Sequence, residues 1–456
     1  MGKFAFFVAL AFLPKKVIEA DVQPGLPNFK LKLPSRNWMI FLTITGSWTA
    51  AVVYDRREKK RIQRKYGKLV SYLADETLDP RQLPRKLSVY ISAPPADGLV
   101  PAREHFTEYV KPILVSAALD WDAVEGRREG DVRAGLAERI RKLRKKMGET
   151  SNDPIEEDQD DLLEEVRSRL GIESWEGTAG DIVIGRHAWK EYVRGLHEGW
   201  LGPLDPPALP PLEPATAPEN KSDSAPAESS AENKDEASPT ATETAPATEP
   251  EKPAEKPVEE EKKPKKKTQP PPFNSTSDYT NAQLSPNCPS EFPPSTVIPF
   301  PHLLGFLNFP IRMYRFLNRR KVAEEVGRQT VAAVLAAYQP YGAPGEARGP
   351  LSESFNADHD QDFDKPKWEQ EDLLKQEEKE WHKTTWERKD DNGKERVWLD
   401  DMVIDPRIGE RMRKFVLDME AEERLKRVAA EKEDPWWKSV WPAKKEKKNS
   451  YGDDEA

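Results

Sequence analysis

Residues 38–54, WMIFLTITGSWTAAVVY, are the one apolar run in this chain with the length to cross a membrane, and the sequence after it is charged, polar or broken by proline. As a helix the run covers roughly 25 Å, the short end of what spans a hydrocarbon core. Trp38 and Tyr54 stand where interfacial aromatics belong, Arg36 precedes them, and the basic cluster RREKKR at 56–61 closes the far side as a stop-transfer flank. Gly46 with Ala50, and Ser47 with Ala51, set small residues four apart, so one helix face is shaped to pack closely on a neighbouring transmembrane helix. A buried core helix is the alternative reading of the same run. A charge block this dense directly behind it argues for the membrane.

Residues 1–37 form an N-terminal segment whose apolar stretch, 4–13, has the length of a secretory h-region. With only Lys3 ahead of it and no small-x-small site behind it, it reads as a weak signal, an extra interfacial segment or an incorrectly assigned start. The 456 residues allow two or three domains, but 42 prolines and 37% hydrophobic residues leave much of the chain outside any packed core. The net charge of −9 is spread over blocks of both signs, which is not the profile of a nucleic-acid binder. Cys288 is the single cysteine, so an intramolecular disulfide and a thiolate zinc site are excluded. The six histidines lack metal-ligand spacing, and no cofactor is implied.

A basic helical connector, 55–86, leads to an α/β domain at 87–202. Its strands are LSVYIS at 87–92, a short run at 121–124 and the buried-type GDIVIG at 180–185. Helices are expected at 103–119, with a kink or break imposed by Pro112, at 131–146, from 156 to Gly171, and at 187–199. Helix 131–146 sets Val132, Leu136, Ile140 and Leu143 on one stripe and Arg133, Arg139, Arg141, Lys142, Arg144, Lys145 and Lys146 on its other faces. Strands alternating with helices imply a small, mainly parallel sheet of about three strands.

Residues 203–294 change to Pro, Ala, Glu, Lys, Thr and Ser and read as a disordered linker. A helical segment packing on the core follows at 295–345, with one long helix expected over 312–338 and a basic patch at Arg319, Arg320 and Lys321. The prolines of VIPFPHLLGFLNFP, 297–310, favour a loop and short helix on the core over a membrane-surface segment. Residues 346–456 are charged and Trp-rich: DDNG at 390–393 signals a hairpin, and Ile408, Met412, Phe415 and Met419 mark an amphipathic helix. Trp436, Trp437 and Trp441 lie in a Lys-rich tail suited to a membrane interface or a partner groove, or to capping the folded domain. The fold class is therefore α/β: one transmembrane helix, a small mainly parallel βα domain, a long disordered linker and a helical, Trp-rich C-terminal part.

Phosphate sites form where helix N-termini follow strands, which singles out the loops at Gly98 and Gly185. Neither carries a dinucleotide, P-loop or nucleophile-elbow fingerprint, and both glycines suit turns. EGRREGD at 125–131 gathers opposite charges but suits a solvated loop with Asp131 capping the next helix. No catalytic, cofactor or metal residue is assigned.

The words PNFKLKLPSRNWMIFLTITGS (27–47), APPADGL (93–99), AREHFTEYVKPILV (102–115), EGRREGDVRAGLAERIRK (125–142), GDIVIGRHAWKEYVRGLHEGWLGP (180–203) and LGFLNFPIRMYRFLNRR (304–320) closely resemble the fungal Tim subunits of fifty-four kilodaltons. That family belongs to the carrier translocase of the mitochondrial inner membrane. The resemblance implies a single-pass inner-membrane protein with its large domain in the intermembrane space. The implied role is a non-enzymatic scaffold that contacts the channel and other translocase subunits, supports insertion of multi-spanning carriers and docks small-Tim chaperone hexamers. A link to the inner-membrane i-AAA protease is also implied, beside contact with the lipid bilayer; nucleic acid is not a partner. Flank charge opposes this orientation, because the basic residues at 56–68 outnumber Lys30, Lys32 and Arg36 and would draw the C-terminal side into the matrix. On charge and exposed aromatics, Arg139, Lys142 and Lys145 with Trp436, Trp437 and Trp441 are the candidate partner surface. The alternatives are a membrane-anchored α/β domain binding a nucleotide or phosphorylated ligand, and a tether in which the linker supplies reach.

Overall fold

A computed structural model describes residues 35–152, 159–173, 175, 177–206, 269–342, 368–387 and 395–430. Helix α1, Arg36–Val70, runs without a break from the apolar segment into the folded domain. The segment 38–54 is thus the exposed half of a longer helix, and the expected connector 55–86 begins as its second half. Among the described residues no helix is long and apolar enough to cross a membrane. That departs from the transmembrane helix expected at 38–54. Thr43, Thr45, Gly46, Ser47 and Thr49 dilute the apolar run, and the basic cluster begins at Arg56, two residues after its end.

The remaining elements follow in chain order. Strand β1 is Lys86–Ser92, helices α2 and α3 are Val100–His105 and Lys111–Ser116, and β2 is Asp120–Gly126. Helices α4, Asp131–Lys146, and α5, Gln159–Arg169, precede β3, Asp181–Ile184, and helix α6, Gly185–Leu201. After residue 269 come β4, Ser295–Ile298, α7, Phe309–Phe316, α8, Arg319–Leu335, and β5, Tyr338–Pro340. Single-turn helices α9 to α12 (Glu369–Asp372, Lys375–Glu378, Lys383–Trp386 and Pro406–Gly409) lead to β6, Arg413–Phe415, and α13, Met419–Ala430.

The sheet has six strands in the order β2-β1-β3-β4-β6-β5, parallel except for the antiparallel β5–β6 pair. About three strands were expected; the additional ones come from 295–298, 338–340 and 413–415, beyond the segment read as the α/β domain. The alternation of side chains along each strand divides the apolar residues between two cores. Leu87, Val89 and Ile91 of β1 and Ile182 and Ile184 of β3 face α1, α3 and α8, whereas Tyr90 and Val183 face α4 and α6. Helices therefore cover both faces, as a parallel sheet requires. Pro112 breaks its helix as expected. A π-helical turn at Phe106–Val110 absorbs the change, and Pro112 falls in the first turn of α3, where its missing N–H is harmless.

Several expectations are corrected. The long helix 312–338 is two helices, α7 and α8, interrupted at Leu317 and Asn318. Residues 269–294, read as part of the linker, are folded: Ser275 and Asp278 form a reciprocal capping box, and Tyr279 and Phe292 are buried in the second core. Residues 207–268 of the linker lie outside the described residues. The turn 390–393 does too, but its expected arms are not strands: Trp386 ends helix α11 and Trp398 lies in a turn. Ile408, Met412 and Phe415 do not share a helix either, because Lys414 pairs with Ser295 and draws the segment into the sheet as β6.

Two glycines set how closely α4 and α6 approach. A Cβ at Gly195 would lie 2.9 Å from the backbone oxygen of Arg133, and one at Gly199 2.6 Å from Cδ1 of Ile140. Backbone cannot yield as a flexible side chain can, so Gly195→Val is expected to destabilise the protein by about 1–3 kcal/mol. A lower melting temperature for the full-length protein in detergent checks this; an unchanged one would mean that the helices separate freely.

Candidate functional site

In this topology the chain leaves β1 for β2 on one side and returns to β3 on the other, so the carboxyl ends of β1 and β3 bound a topological switch point. Open α/β sheets bind ligands in that crevice, with anions at the helix N-termini that open onto it. Here the chain's own side chains occupy those positions. The carboxylate of Glu377 accepts hydrogen bonds from the backbone N–H of Arg186, in the first turn of α6, at 2.9 Å and of Phe300 at 2.7 Å. At the start of α4, Glu191 accepts from the N–H of Val132 at 3.0 Å, and it also takes the Trp398 indole N–H at 2.7 Å and the Ser92 hydroxyl at 3.1 Å.

Both carboxylates are buried, and burial pushes each up to about 7. His187 closes the space between them. Its Nε2 lies 2.9 Å from the carbonyl oxygen of Ser92, its ring stands near Phe300 and Trp398, and burial lowers it to about 4, so it is neutral. The cleft that remains, between Pro94, Pro95, His302 and Trp381, has room for about one water molecule. Of the two glycines singled out from the sequence, Gly185 has a φ of +84° that a side chain would strain. The Gly98 N–H donates to Asp97 in an exposed turn.

Helix α6 also explains where the arginines of α4 go. Every residue of α6 is buried, charged ones included. Its apolar side meets the sheet and α4, while its polar side is wrapped by residues from 269–274, 370–381 and 395–405. Arg133 is fully buried; it pairs with Glu198 and lies 3.6 Å from Glu395. Arg141 pairs with the other oxygen of Glu198 and stacks on Phe273, its guanidinium carbon 3.6 Å from the ring centre. Arg144 donates to the carbonyls of Gly199 and Gly202 at 2.7 and 2.8 Å, satisfying the C-terminal end of α6. Arg194 reaches Glu395 at 2.6 Å and the side chain of Asn274 at 2.8 Å. Thus Arg133, Arg141 and Arg144, read as part of the outer faces of α4, are internal. Two of their contacts, Glu395 with Arg133 and Phe273 with Arg141, were invisible in the sequence because they follow only after a long polar stretch.

Arg139 pairs with Asp122 of β2, Lys142 lies 3.6 Å from Glu138, and Lys145 is half-buried. Trp436, Trp437 and Trp441 lie outside the described residues. On α1, Trp38 and Tyr54 are exposed at the two ends of the apolar segment. Gly46, Ser47, Ala50 and Ala51 sit between them, outside the core. Within that segment the four small hydroxyls donate back to carbonyls of their own helix: Thr43 to Ile40 and Thr45 to Phe41 at 2.8 Å, Ser47 to Ile44 at 2.9 Å and Thr49 to Gly46 at 3.0 Å.

The chain thus combines an α/β domain whose switch point is filled by its own side chains with a long helix whose far end is apolar and exposed. Residues 23–415 match the family described as inner membrane protein import complex subunit Tim54. The chain is 46% identical over 453 residues to the mitochondrial import inner membrane translocase subunit tim54 of Aspergillus oryzae, covering 94% of this chain and 96% of that protein. It is 48% identical over 419 residues to the subunit of the same name from Neurospora crassa, covering 90% and 83%. With that of Candida albicans it shares 30% over 437 residues, covering 86% and 94%. The chain belongs to the Tim54 family.

The burial of Glu191 has a measurable consequence. Its folded state holds a proton more tightly than the unfolded state, where the usual value is 4.5. The native form therefore binds more protons between about 4.5 and 7, and this group's contribution falls as pH rises through that window. In Glu191→Gln that loss is absent. Whatever the offset at low pH, the melting temperature of the variant relative to the natural protein is expected to rise from pH 5 to pH 7.5. A pH-independent difference would show that Glu191 ionises normally.

Proposed function

We propose that this chain is a non-enzymatic scaffold subunit of the carrier translocase of the mitochondrial inner membrane. It is held in the bilayer by residues 38–54, with its large domain in the intermembrane space. There it supports insertion of multi-spanning carriers and offers a docking surface to the small-Tim chaperone hexamers; the channel, the other subunits and the i-AAA protease are its expected neighbours. The observation that carries this reading is α1 itself. One half ends in the core, with Tyr66, Leu69 and Val70 buried, and the other half, 38–54, is apolar and has no buried residue. Hydroxyls bonded within their own helix are not themselves unmet donors in lipid, which supports insertion of a segment that hydropathy alone does not mark.

The basic flank fits this orientation once its surroundings are considered. Lys59 pairs with Glu108, Lys65 lies 3.7 Å from Glu324, and both belong to a helix packed into a folded domain. Charges in such a domain weigh less on topology than charges in a short loop. The filled switch point also disfavours the nucleotide-binding alternative, since a phosphate would have to displace Glu377 or Glu191. In a fungal host that lacks its own Tim54-family subunit, a version truncated after residue 86 is expected to lose the small-Tim hexamer from the inner-membrane complex on native gels, whereas the full chain retains it. An undiminished complex with the truncated chain would refute the scaffold role.

A further inference from the structure

We propose that residues 305–316 are a second membrane contact of this protein: a loop and interfacial helix that rest on anionic phospholipid beside the anchor. Phe306 and Leu307 are each 91% exposed, more than any other large hydrophobic side chain among the described residues. Helix α7 follows directly, has no buried residue, and turns Phe309 and Tyr314 outward. On its polar side Arg315 is paired with Glu380 at 2.7 Å, which holds the helix to the domain by that side and leaves the apolar side facing away.

The position of this patch argues for lipid as its occupant. Asp55 of α1 is buried and accepts a hydrogen bond from the backbone N–H of Arg320 at 3.3 Å, and the Arg320 guanidinium lies 5.1 Å from the ring of Tyr54. The start of α8 is thereby fixed to the point where α1 passes from its exposed apolar half into the domain. Residues 305–318, immediately before α8, hang beside that point. A bilayer that receives residues 38–54 up to Tyr54 has its surface at the level of this patch. Charge agrees: residues 304–321 contain Arg312, Arg315, Arg319, Arg320 and Lys321 and no acidic residue. Exposed aromatics backed by cations are the composition of an interfacial segment, in which the apolar side chains enter the acyl boundary and the cations meet phosphate.

This inference rests on insertion of residues 38–54, and its test separates the two. In the full chain with Cys288→Ser, a single cysteine is introduced by Phe306→Cys, by Leu42→Cys within α1, or by Leu163→Cys on the exposed side of α5. Each is labelled with an environment-sensitive fluorophore and reconstituted into phosphatidylcholine vesicles with and without phosphatidylglycerol. Spin-labelled lipids of shallow and deep position serve as quenchers. The expected result is quenching at 306 by the shallow label, stronger with phosphatidylglycerol and weakened by Arg312→Glu with Lys321→Glu, together with quenching at 42 and none at 163. Quenching at 42 without quenching at 306 would overturn the second contact and leave the anchor intact. Absence of quenching at both would overturn both. If 306 is shielded in native membranes but not in vesicles, a protein neighbour covers the patch and the lipid contact is refuted.

Discussion

The structure depends on α1 being one helix. Its inner half packs along α8 so closely that Tyr66 lies on Gly327, where a Cβ would come within 2.5 Å of the ring. Tyr66, Leu69 and Val70 share a core with the central strands β1 and β3. Its outer half therefore has no independent hinge: whatever holds residues 38–54 holds the sheet. A flexible connector would have left the domain free to turn about residues 38–54; an unbroken helix makes it a strut that fixes the domain's orientation to that segment. Buried Asp55, receiving the N–H of Arg320, locks the strut to α8 where the exposed half begins.

The second determinant is the polar side of α6. A helix buried all round with Arg186, Lys190, Glu191, Arg194 and Glu198 upon it must meet a partner for every charge, because removing one partner of a buried pair strands the other. The segments after residue 269 supply those partners. Residues 269–274 and 395–405 fold onto the domain partly for this reason, the second segment also burying Val397, Trp398 and Ile404. The same arrangement consumes the places where an α/β fold of this topology would hold a phosphate. Glu377 and Glu191 bind the helix N-termini from within, so binding sites for other proteins must be sought on the outer surface.

Local elements were largely legible in the sequence. LSVYIS and DIVI carry enough β-branched residues to define strands, α4 has the expected bounds, and Pro112 announced its break. The family was legible as well, from long words such as GDIVIGRHAWKEYVRGLHEGWLGP. What failed was non-local. The stripe of Trp189, Tyr192, Val193, Leu196 and Trp200 implies one buried side of α6, and nothing nearby reveals that distant segments bury the other. β6 is three residues whose strand character comes from pairing with β5 along its length and with β4 at Lys414, so its sequence looked helical. The arms expected on either side of 390–393 are committed elsewhere: Trp398 is held by Glu191, and Trp386 closes a helical turn. For the surface, exposed Phe306 and Leu307 were read as packing on the core because prolines around them argue against a spanning helix, an argument that does not bear on a segment lying at an interface.

The most direct test of the account is the side of the membrane on which the strut places the domain. Mitochondria carrying the full chain with a C-terminal tag are treated with protease intact and after rupture of the outer membrane, and the same membranes are extracted with carbonate. The account predicts a tag that resists carbonate extraction and is cleaved only after rupture. A tag that stays protected until the inner membrane is dissolved would put the domain in the matrix, and release by carbonate would show that α1 does not enter the bilayer; either result contradicts the account.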